Sequence, residues 1–535
     1  MNKRLSRIII LAVLVFFTVN AANRPKLVIL ISVDQMRADY LQRFKKEFSG
    51  GFKLITEQGT VYRNASLNYA PSETGPGHAT ISTGCYPWKT GILANDWYDP
   101  STRKDVYCVG DTSAEKVQDE GGGASPRNLE VSALGDWLKQ ESPHSRVVAV
   151  SLKDRAAVLL GGQHPDLVFW YNRKSGDMVT SDYYTGSIPA WVKSFNTLDW
   201  VDRNVPAAWT RLRPDDVYEN YGPDSVVGER LWNGSSTFPH VFSSDKRKEQ
   251  IFTSPYGDLM TLDFARTILR YERLGQGESV DLLCISLSCT DYIGHAFGPN
   301  SQEMADQMFR LDLSIGSFLS DAERLVGHGK ILLALSADHG VLPLPEYTVN
   351  IDHRIARRIV LQEAINPNIV ALDRSLEKKF GTSEHIIQSK AFLNYRAAAQ
   401  GGIDSVELER QVKEGLMKID GVADVYFRRE LLDVATPERP YLDALRHGYY
   451  PPRGEDFLLR FCENCLVTGS TTGTSHGTPY SYDTHVPLVF WGTGVRPATV
   501  DRSVYTVDLA PTLAALLGLR SPAGVDGQPL KEMAN

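Results

Sequence analysis

Six short runs of apolar and β-branched residues recur along the chain, separated by stretches with helical spacing. The runs lie at residues 26–33, 147–151, 166–171, 281–287, 331–336 and 486–491. Strands that are apolar along their whole length are buried on both faces, which is typical of a parallel sheet covered by helices. The pattern therefore predicts an α/β fold in which a central, mostly parallel sheet carries helices on both faces.

The segments between these runs predict the domain organisation. Apolar residues from Met304 to Phe318 recur at spacings of three and four, which indicates a core helix. Residues from about 172 to 260 are rich in Trp, Tyr, Pro and Asn and predict a loop-rich insertion, whereas residues from about 345 to 460 predict an α+β insertion. We expect one large catalytic domain over residues 22–535, interrupted by these two insertions.

The amino terminus is typical of a signal peptide. Three basic residues precede an apolar run over residues 8–17, and small residues follow up to Ala21. The run is too short to span a bilayer comfortably, so cleavage after Ala21 is favoured over an uncleaved anchor. We therefore expect a periplasmic or secreted protein that has no membrane contact once residues 1–21 are removed.

The net charge limits the partners of the protein. A net charge of −7 argues against binding to nucleic acids or anionic membranes, which requires a basic surface.

The cysteines predict local features. Cys462 and Cys465 form a CxxC that predicts either a local disulfide or two thiols, because a zinc ribbon would need a second such pair. Cys85 and Cys108 could staple a surface loop, and Cys284 is expected to be buried in a strand.

Polar residues cluster where the predicted strands end. They are Asp34, Lys153, Arg155, Asp291, His295, Asp338 and His339 after strands, and His476 and His485 before the last strand. Ligands of open parallel sheets bind beyond the carboxyl ends of the strands, so we expect these side chains to converge on one edge of the sheet.

The types of these residues match a zinc site. Carboxylates and imidazoles ligate zinc, and Asp291 and His295 are four residues apart, so one helical turn would direct both at one ion. Taken alone, Asp34 could be a helix N-cap and the Asp-His-Gly at Asp338 a simple turn. Taken together, the ligands suffice for two metal ions, an arrangement suited to phosphoryl transfer.

Thr74 stands at the predicted start of a helix, in the sequence TGPGHATIST. The free amides and the dipole of a helix N-terminus favour a phosphate there. A threonine hydroxyl becomes a good nucleophile only when it is deprotonated, and a bound metal ion can hold it as the alkoxide. The alternative, that Thr74 simply caps the helix, explains the residue type but not the metal ligands elsewhere.

These motifs together resemble the alkaline phosphatase superfamily over nearly the whole mature chain. They are Asp34, TGPGHATISTG, GILANDWYD, SLKDRAA, DYIGH, ADHG, HGTPYSYDTHVPL and the closing VDLAPTLAALLG with GVDGQPL. Within the superfamily the sequence is similar to the phosphate-irrepressible alkaline phosphatases. The resemblance implies a phosphate monoester hydrolase that has two zinc ions and forms a covalent phosphothreonine at Thr74.

The resemblance also implies the roles of individual residues. One zinc would be held by Asp34, Thr74, Asp338 and His339, and the other by Asp291, His295 and a late histidine. We favour His476 as that histidine, because it precedes a glycine in a loop whereas His485 adjoins a strand. Asn95, Lys153 and Arg155 would hold the non-bridging oxygens of the phosphate.

The Lys153 and Arg155 pair bears on the substrate class. A lysine and an arginine can neutralise the dianion of a small phosphate monoester, whereas a diester carries a single charge. Diesterases of the same superfamily usually lack this pair and have an apolar pocket. The prediction is a monoesterase that acts as a monomer on small molecules, with a phosphodiesterase as the alternative because the aromatic-rich insertion could form such a pocket.

Overall fold

An eleven-stranded sheet forms the centre of the computed structural model, which describes residues 24–117, 122–388 and 391–533. The predicted signal peptide lies outside these residues. In chain order the strands are β1 (Leu27–Val33), β2 (Thr60–Ser66), β3 (Gly110–Val117), β4 (Gly122–Ala124), β5 (Val147–Ser151), β6 (Leu167–Tyr171), β7 (Met178–Ser181), β8 (Asp281–Leu287), β9 (Ile331–Ser336), β10 (Leu488–Gly492) and β11 (Ala498–Tyr505). Their order across the sheet is β11-β2-β10-β9-β1-β8-β5-β6-β7-β3-β4.

The centre of the sheet is parallel, as predicted. Strands β9, β1, β8, β5 and β6 are adjacent and run in the same direction. In register, Ser32 of β1 lies beside Ser286 of β8 and Ser336 of β9, so these three strands end at the same level. Residues that directly follow them are therefore brought to one edge of the sheet.

Strand β10 differs from the expectation, because it pairs antiparallel with both β9 and β2. The chain enters β10 at the edge where the parallel strands end. This orientation explains why a segment that precedes a strand lies beside segments that follow strands. The antiparallel direction therefore places the loop that contains His476 at the carboxyl edge.

Helices cover both faces of the sheet, and each face has its own apolar core. The longer helices are Gly51–Gln58, Thr74–Thr83, Leu134–Glu141, Asp154–Gly161, Tyr256–Tyr271, Cys289–Phe297, Gln302–Val326 and Leu509–Leu517. The helix Gln302–Val326 contains the predicted core helix and buries Met304, Ile315 and Phe318. The predicted α/β class is thus confirmed. Within the described ranges, every helix is too short or too polar to cross a bilayer.

The two predicted insertions pack differently, although their exact limits stay a prediction. Trp209 and Tyr218 of the first insertion hydrogen-bond to Asp306 of the long helix, and their rings join the main core. The second insertion has a core of its own. Its main elements are the helices Asn366–Phe380, Ser405–Leu416 and Leu442–Gly448 and the strands Arg357–Val360, Val422–Phe427, Phe457–Phe461 and Cys465–Thr468.

The cysteines give two confirmed predictions and one wrong one. Cys462 and Cys465 form a disulfide, the first of the two predicted alternatives. Cys85 and Cys108 are both free and buried, so the predicted surface staple is wrong. Cys108 lies in the core, where its Sγ is 3.3 Å from the position of a Cβ on Gly75, and it serves as a small apolar side chain. Cys284 is buried in β8, as expected.

A buried acid–histidine cluster in the first insertion predicts a pH-dependent stability. Burial and the nearby Glu303 raise the pKa of Glu229 to about 8, and burial lowers the pKa of His240 to about 4. From pH 4.5 to 8 the folded state therefore retains a proton on Glu229 that the unfolded state releases. Stability from this group falls as pH rises through that window. The lowered pKa of His240 has the opposite effect, because it makes stability rise with pH, but only below pH 6.5, the ordinary pKa of histidine.

We expect Glu229→Gln to reduce the loss of stability between pH 6.5 and 8 by about 1 kcal/mol per pH unit. Denaturant unfolding at several pH values measures this slope. Glu278→Gln, at an exposed position outside the cluster, is the matched control and should behave like the wild type. Equal slopes for all three proteins would show that Glu229 does not hold the proton.

Candidate active site

Three carboxylates meet at the carboxyl edge of the sheet. Asp34 directly follows β1, Asp338 follows β9, and Asp291 lies in the first turn of the helix Cys289–Phe297 after β8. All three are buried. Asp34 is followed by a turn and not by a helix, so the N-cap interpretation does not apply. The convergence predicted from the strand ends is therefore present for these residues.

The histidines approach the carboxylates through their Nε2 atoms. Nε2 of His295 lies 3.1 Å and Nε2 of His476 3.8 Å from Oδ1 of Asp291. Nε2 of His339 lies 3.6 Å from Oδ1 of Asp34 and 3.4 Å from Oδ2 of Asp338. The one-turn spacing of Asp291 and His295 thus directs both side chains to one place, as the sequence predicts.

All three rings use Nδ1 for a backbone carbonyl. The acceptors are the carbonyl of Thr474 for His295, of Gly340 for His339 and of Ser72 for His476, at 2.7 to 2.9 Å. A carbonyl oxygen can only accept, so each Nδ1 carries a proton, and in the neutral ring Nε2 presents the lone pair. This is the tautomer and orientation that metal-ligating histidines adopt in proteins.

The donor set fits divalent cations. Oδ1 of Asp34, Oδ2 of Asp338 and Nε2 of His339 are buried and, among the described residues, have no hydrogen-bond donor. Buried acceptors without donors are costly unless a cation satisfies them. Ligand atoms lie within 4.8 Å of one another in two groups that share Asp291: Asp291, His295 and His476, and Asp34, Asp291 and His339.

The pKa values of Asp34 and Asp291 are shifted in opposite directions. Burial and the neighbouring Asp338 raise the pKa of Asp34 well above its usual value. Burial also acts against ionisation of Asp291, but His295 and Lys153 outweigh it and hold its pKa well below normal. Burial, then the two nearby histidines, hold the pKa of His476 well below its usual value, so this imidazole is neutral at neutral pH. Neutral imidazole is the form that binds metal.

Lys153 lies among these acids. Its Nζ is 2.6 Å from Oδ2 of Asp34 and 2.6 Å from Oδ2 of Asp291, and the side chain is buried. The ammonium group is 5.0 Å from the ring centroid of Tyr292. The sequence predicts a phosphate contact for Lys153, and the structure places it at the boundary between the carboxylates and the neighbouring cleft.

Thr74 is the first residue of the helix Thr74–Thr83 and is buried, and the N-cap position belongs to Glu73. The helix start is fixed by Asn95, whose Oδ1 accepts from the N–H of Gly75 at 2.8 Å and whose own N–H donates to Glu73 at 2.7 Å. The predicted phosphate-binding Asn95 therefore lies beside Thr74. Gly77 allows close approach, because a Cβ there would be 2.5 Å from Cβ of Asp338.

Arg155 is the second residue of the helix Asp154–Gly161, which follows β5, and its side chain is partly buried. Its Nε is buried and has no hydrogen-bond partner within the described part of the chain. With Lys153, Tyr292 and Arg173 it lines a cleft of about 200 Å³. A partly buried guanidinium whose buried Nε retains an unused donor suits an anion that brings its own acceptors.

Three positioning residues were missed by the sequence analysis. Gln35, at φ 67°, donates from Nε2 to Asp291 at 2.6 Å and from its backbone N to Asp338 at 3.0 Å. Glu73 holds Asn95, and His78 bridges the Thr74 carbonyl to Ser286. The only signal for them was proximity in sequence to Asp34 and Thr74.

His485 lies outside the cluster. Its Nε2 is 2.7 Å from the carbonyl of Arg63, and the residue forms a β-bridge with Ser66, the last residue of β2. The structure therefore places His476, and not His485, with the other candidate ligands.

The fold and this set of side chains define a hydrolase of the alkaline phosphatase class. A sequence model described as type I phosphodiesterase / nucleotide pyrophosphatase matches residues 28–439. The chain belongs to that family.

Named relatives extend over nearly the whole chain. Alkaline phosphatase PhoV of Synechococcus elongatus is 33% identical and covers 95% of this chain and 93% of its own. Alkaline phosphatase PafA of Elizabethkingia meningoseptica is 33% identical, and the match covers 96% of this chain and 95% of that protein. A crystal structure of wild-type PafA superimposes with a TM-score of 0.88 at 32% identity and covers 96% of this chain and 99% of its own. The resemblance predicted from the motifs is thus confirmed.

Proposed function

We propose that this protein hydrolyses phosphate monoesters through a phosphothreonine formed at Thr74. The observation that carries the proposal is the placement of Asn95 at the start of the Thr74 helix, with Lys153 and Arg155 at the start of the helix Asp154–Gly161 that packs against it. This arrangement offers an amide, an ammonium and a guanidinium to a phosphate held at Thr74. Relatives named alkaline phosphatase support the same activity.

Two zinc ions are the proposed cofactors. Asp34, Thr74, Asp338 and His339 would hold one ion, and Asp291, His295 and His476 the other, since the unpartnered buried acceptors fit cations. When bound, such ions supply Lewis acidity and lower the pKa of a coordinated water to about 7. Gln35 keeps Asp338 and Asp291 in place through its backbone N–H and its side-chain amide.

The protein groups act on the phosphate oxygens. Oγ1 of Thr74 attacks the phosphorus, and Asn95, Lys153 and Arg155 bind the charge that develops on the non-bridging oxygens. Water then cleaves the phosphothreonine and releases inorganic phosphate. The predicted signal peptide supports a location in the periplasm or outside the cell. The proposal also includes a small-molecule substrate and a monomeric enzyme.

A phosphodiesterase is the second candidate, because the description of the matching family names diesterases. Arg155 discriminates between the two functions. A monoester presents one more anionic oxygen than a diester, so a residue that binds this oxygen contributes more to monoester hydrolysis.

We expect Arg155→Ala to lower kcat/KM for p-nitrophenyl phosphate by about 10²-fold to 10³-fold, and that for its methyl diester by less than about tenfold. Steady-state kinetics on both substrates measures the ratio. Arg203→Ala, at an exposed position in the first insertion, is the control and should leave the ratio unchanged. Equal losses on both substrates would contradict the role of Arg155.

A further inference from the structure

A second, larger cavity of about 450 Å³ lies between the loop before Thr74 and the second insertion. We call it the apolar cavity. Its apolar wall includes Pro71, Leu361, Leu458, Leu459, Phe461 and Val467. Leu458, Leu459, Phe461 and Val467 come from the strands Phe457–Phe461 and Cys465–Thr468 and are only partly buried. The strands thus present apolar side chains to this space without covering them completely.

One end of the apolar cavity belongs to the candidate active site. Glu73, which directly precedes Thr74, and His476 both line it. The ring of His476 stacks on His339 at 3.6 Å, and its Nε2 faces Asp291. A ligand at the carboxylates can therefore extend past His476 into the apolar cavity.

Arg460 in the wall of the apolar cavity is already held. Arg460 donates to the hydroxyl groups of Tyr426 and Tyr480, at 3.2 and 3.0 Å. Its guanidinium is thus used by the protein. The carboxylates of Glu73 and Glu455 also line the cavity and would repel an anion, so the partly covered apolar side chains are what it offers the uncharged part of a ligand. Burial of apolar ligand surface against them is favourable.

The volume suits part of a small molecule. Ligand pockets range from roughly 300 to 1,000 Å³ and are mostly apolar with few polar groups. The cleft beside Arg155, in contrast, is lined by cations and suits the phosphate. The two spaces therefore flank the candidate ligand groups with opposite chemistry.

We propose that the apolar cavity is the subsite for the alcohol part of the substrate, which makes the enzyme selective for phosphate monoesters of apolar alkyl or aryl alcohols. This inference rests on the proposed monoesterase function. In the reaction, the bond between phosphorus and the alcohol oxygen breaks as the bond to Thr74 forms. The alcohol oxygen takes the threonine proton, and water then cleaves the phosphothreonine and restores that proton.

A series of n-alkyl phosphates from ethyl to octyl tests the subsite. These leaving groups have nearly the same basicity, so the intrinsic reactivity is constant and chain length reports burial alone. We expect kcat/KM to rise about threefold for each added methylene until the apolar cavity is filled. A flat profile in an enzyme that hydrolyses ethyl phosphate overturns the subsite but leaves the monoesterase function intact. No hydrolysis of any monoester would instead contradict the proposed function.

Variants locate the effect. Val467→Asn and Leu458→Asn place amides in the wall of the apolar cavity, and each should lower the increase per methylene to less than about twofold. Val434→Asn is the matched control, because Val434 is in the same insertion and 92% exposed. It should keep the wild-type increase. Melting temperatures verify folding of each variant, and a wild-type increase in both folded cavity variants would overturn the proposal.

Discussion

Thr74→Ala should abolish phosphate monoester hydrolysis, with kcat/KM for p-nitrophenyl phosphate reduced by about 10⁴-fold or more. The substitution removes the hydroxyl that we propose attacks phosphorus and leaves the start of the helix otherwise unchanged, since the bond from Gly75 to Asn95 uses a backbone N–H. Mass spectrometry of acid-quenched enzyme should detect a phosphorylated peptide containing Thr74 in the wild type and none in the variant.

Two further variants separate chemistry from folding. Thr74→Ser keeps a hydroxyl and should retain phosphorylation at this position. Thr80→Ala changes a buried threonine on the same helix, six residues further on, and should remain phosphorylated at Thr74. Phosphate found on any other residue, or an active Thr74→Ala enzyme, would contradict the proposed nucleophile.

His476→Ala has the second large expected effect. The variant should bind about one zinc ion per chain instead of two, because the substitution removes a proposed ligand from the group formed with Asp291 and His295. Substitutions in the shell around a metal already cost about 10-fold to 100-fold, so loss of a direct ligand should cost more than about 100-fold in kcat/KM. Metal analysis after dialysis, together with kinetics, measures both effects.

His485→Ala is the matched control for this substitution. His485 is a histidine of the same segment that contacts the carbonyl of Arg63 and not the carboxylates. It should bind two zinc ions and remain active. Loss of one zinc ion from His485→Ala, with full zinc content in His476→Ala, would reverse the assignment.

Much of the site could be predicted from the sequence, because chemistry at a strand end leaves a local signal. Asp34, Asp338 and His339 follow apolar strands directly, and the spacing of Asp291 and His295 is that of one helical turn. The parallel centre of the sheet then brings them together. The position of His476 could not be derived from a strand end in the same way, because the antiparallel direction of β10 determines which edge of the sheet its loop occupies.

Other features depend on tertiary contacts that leave no local pattern. Gln35 is important through its two bonds to carboxylates that are more than 250 residues away. Cys85 and Cys108 have the spacing of a loop staple, but Cys108 is packed inside the core beside Gly75. The apolar cavity likewise forms only where the second insertion meets the loop before Thr74.

The relative rate of monoester and diester hydrolysis tests the central proposal most directly. It requires kcat/KM for p-nitrophenyl phosphate and for methyl p-nitrophenyl phosphate, measured side by side on the wild-type protein loaded with zinc at alkaline pH. An enzyme in which Asn95, Lys153 and Arg155 bind a dianion should prefer the monoester by several orders of magnitude. A preference for the diester would contradict the proposed function and identify the protein as a phosphodiesterase.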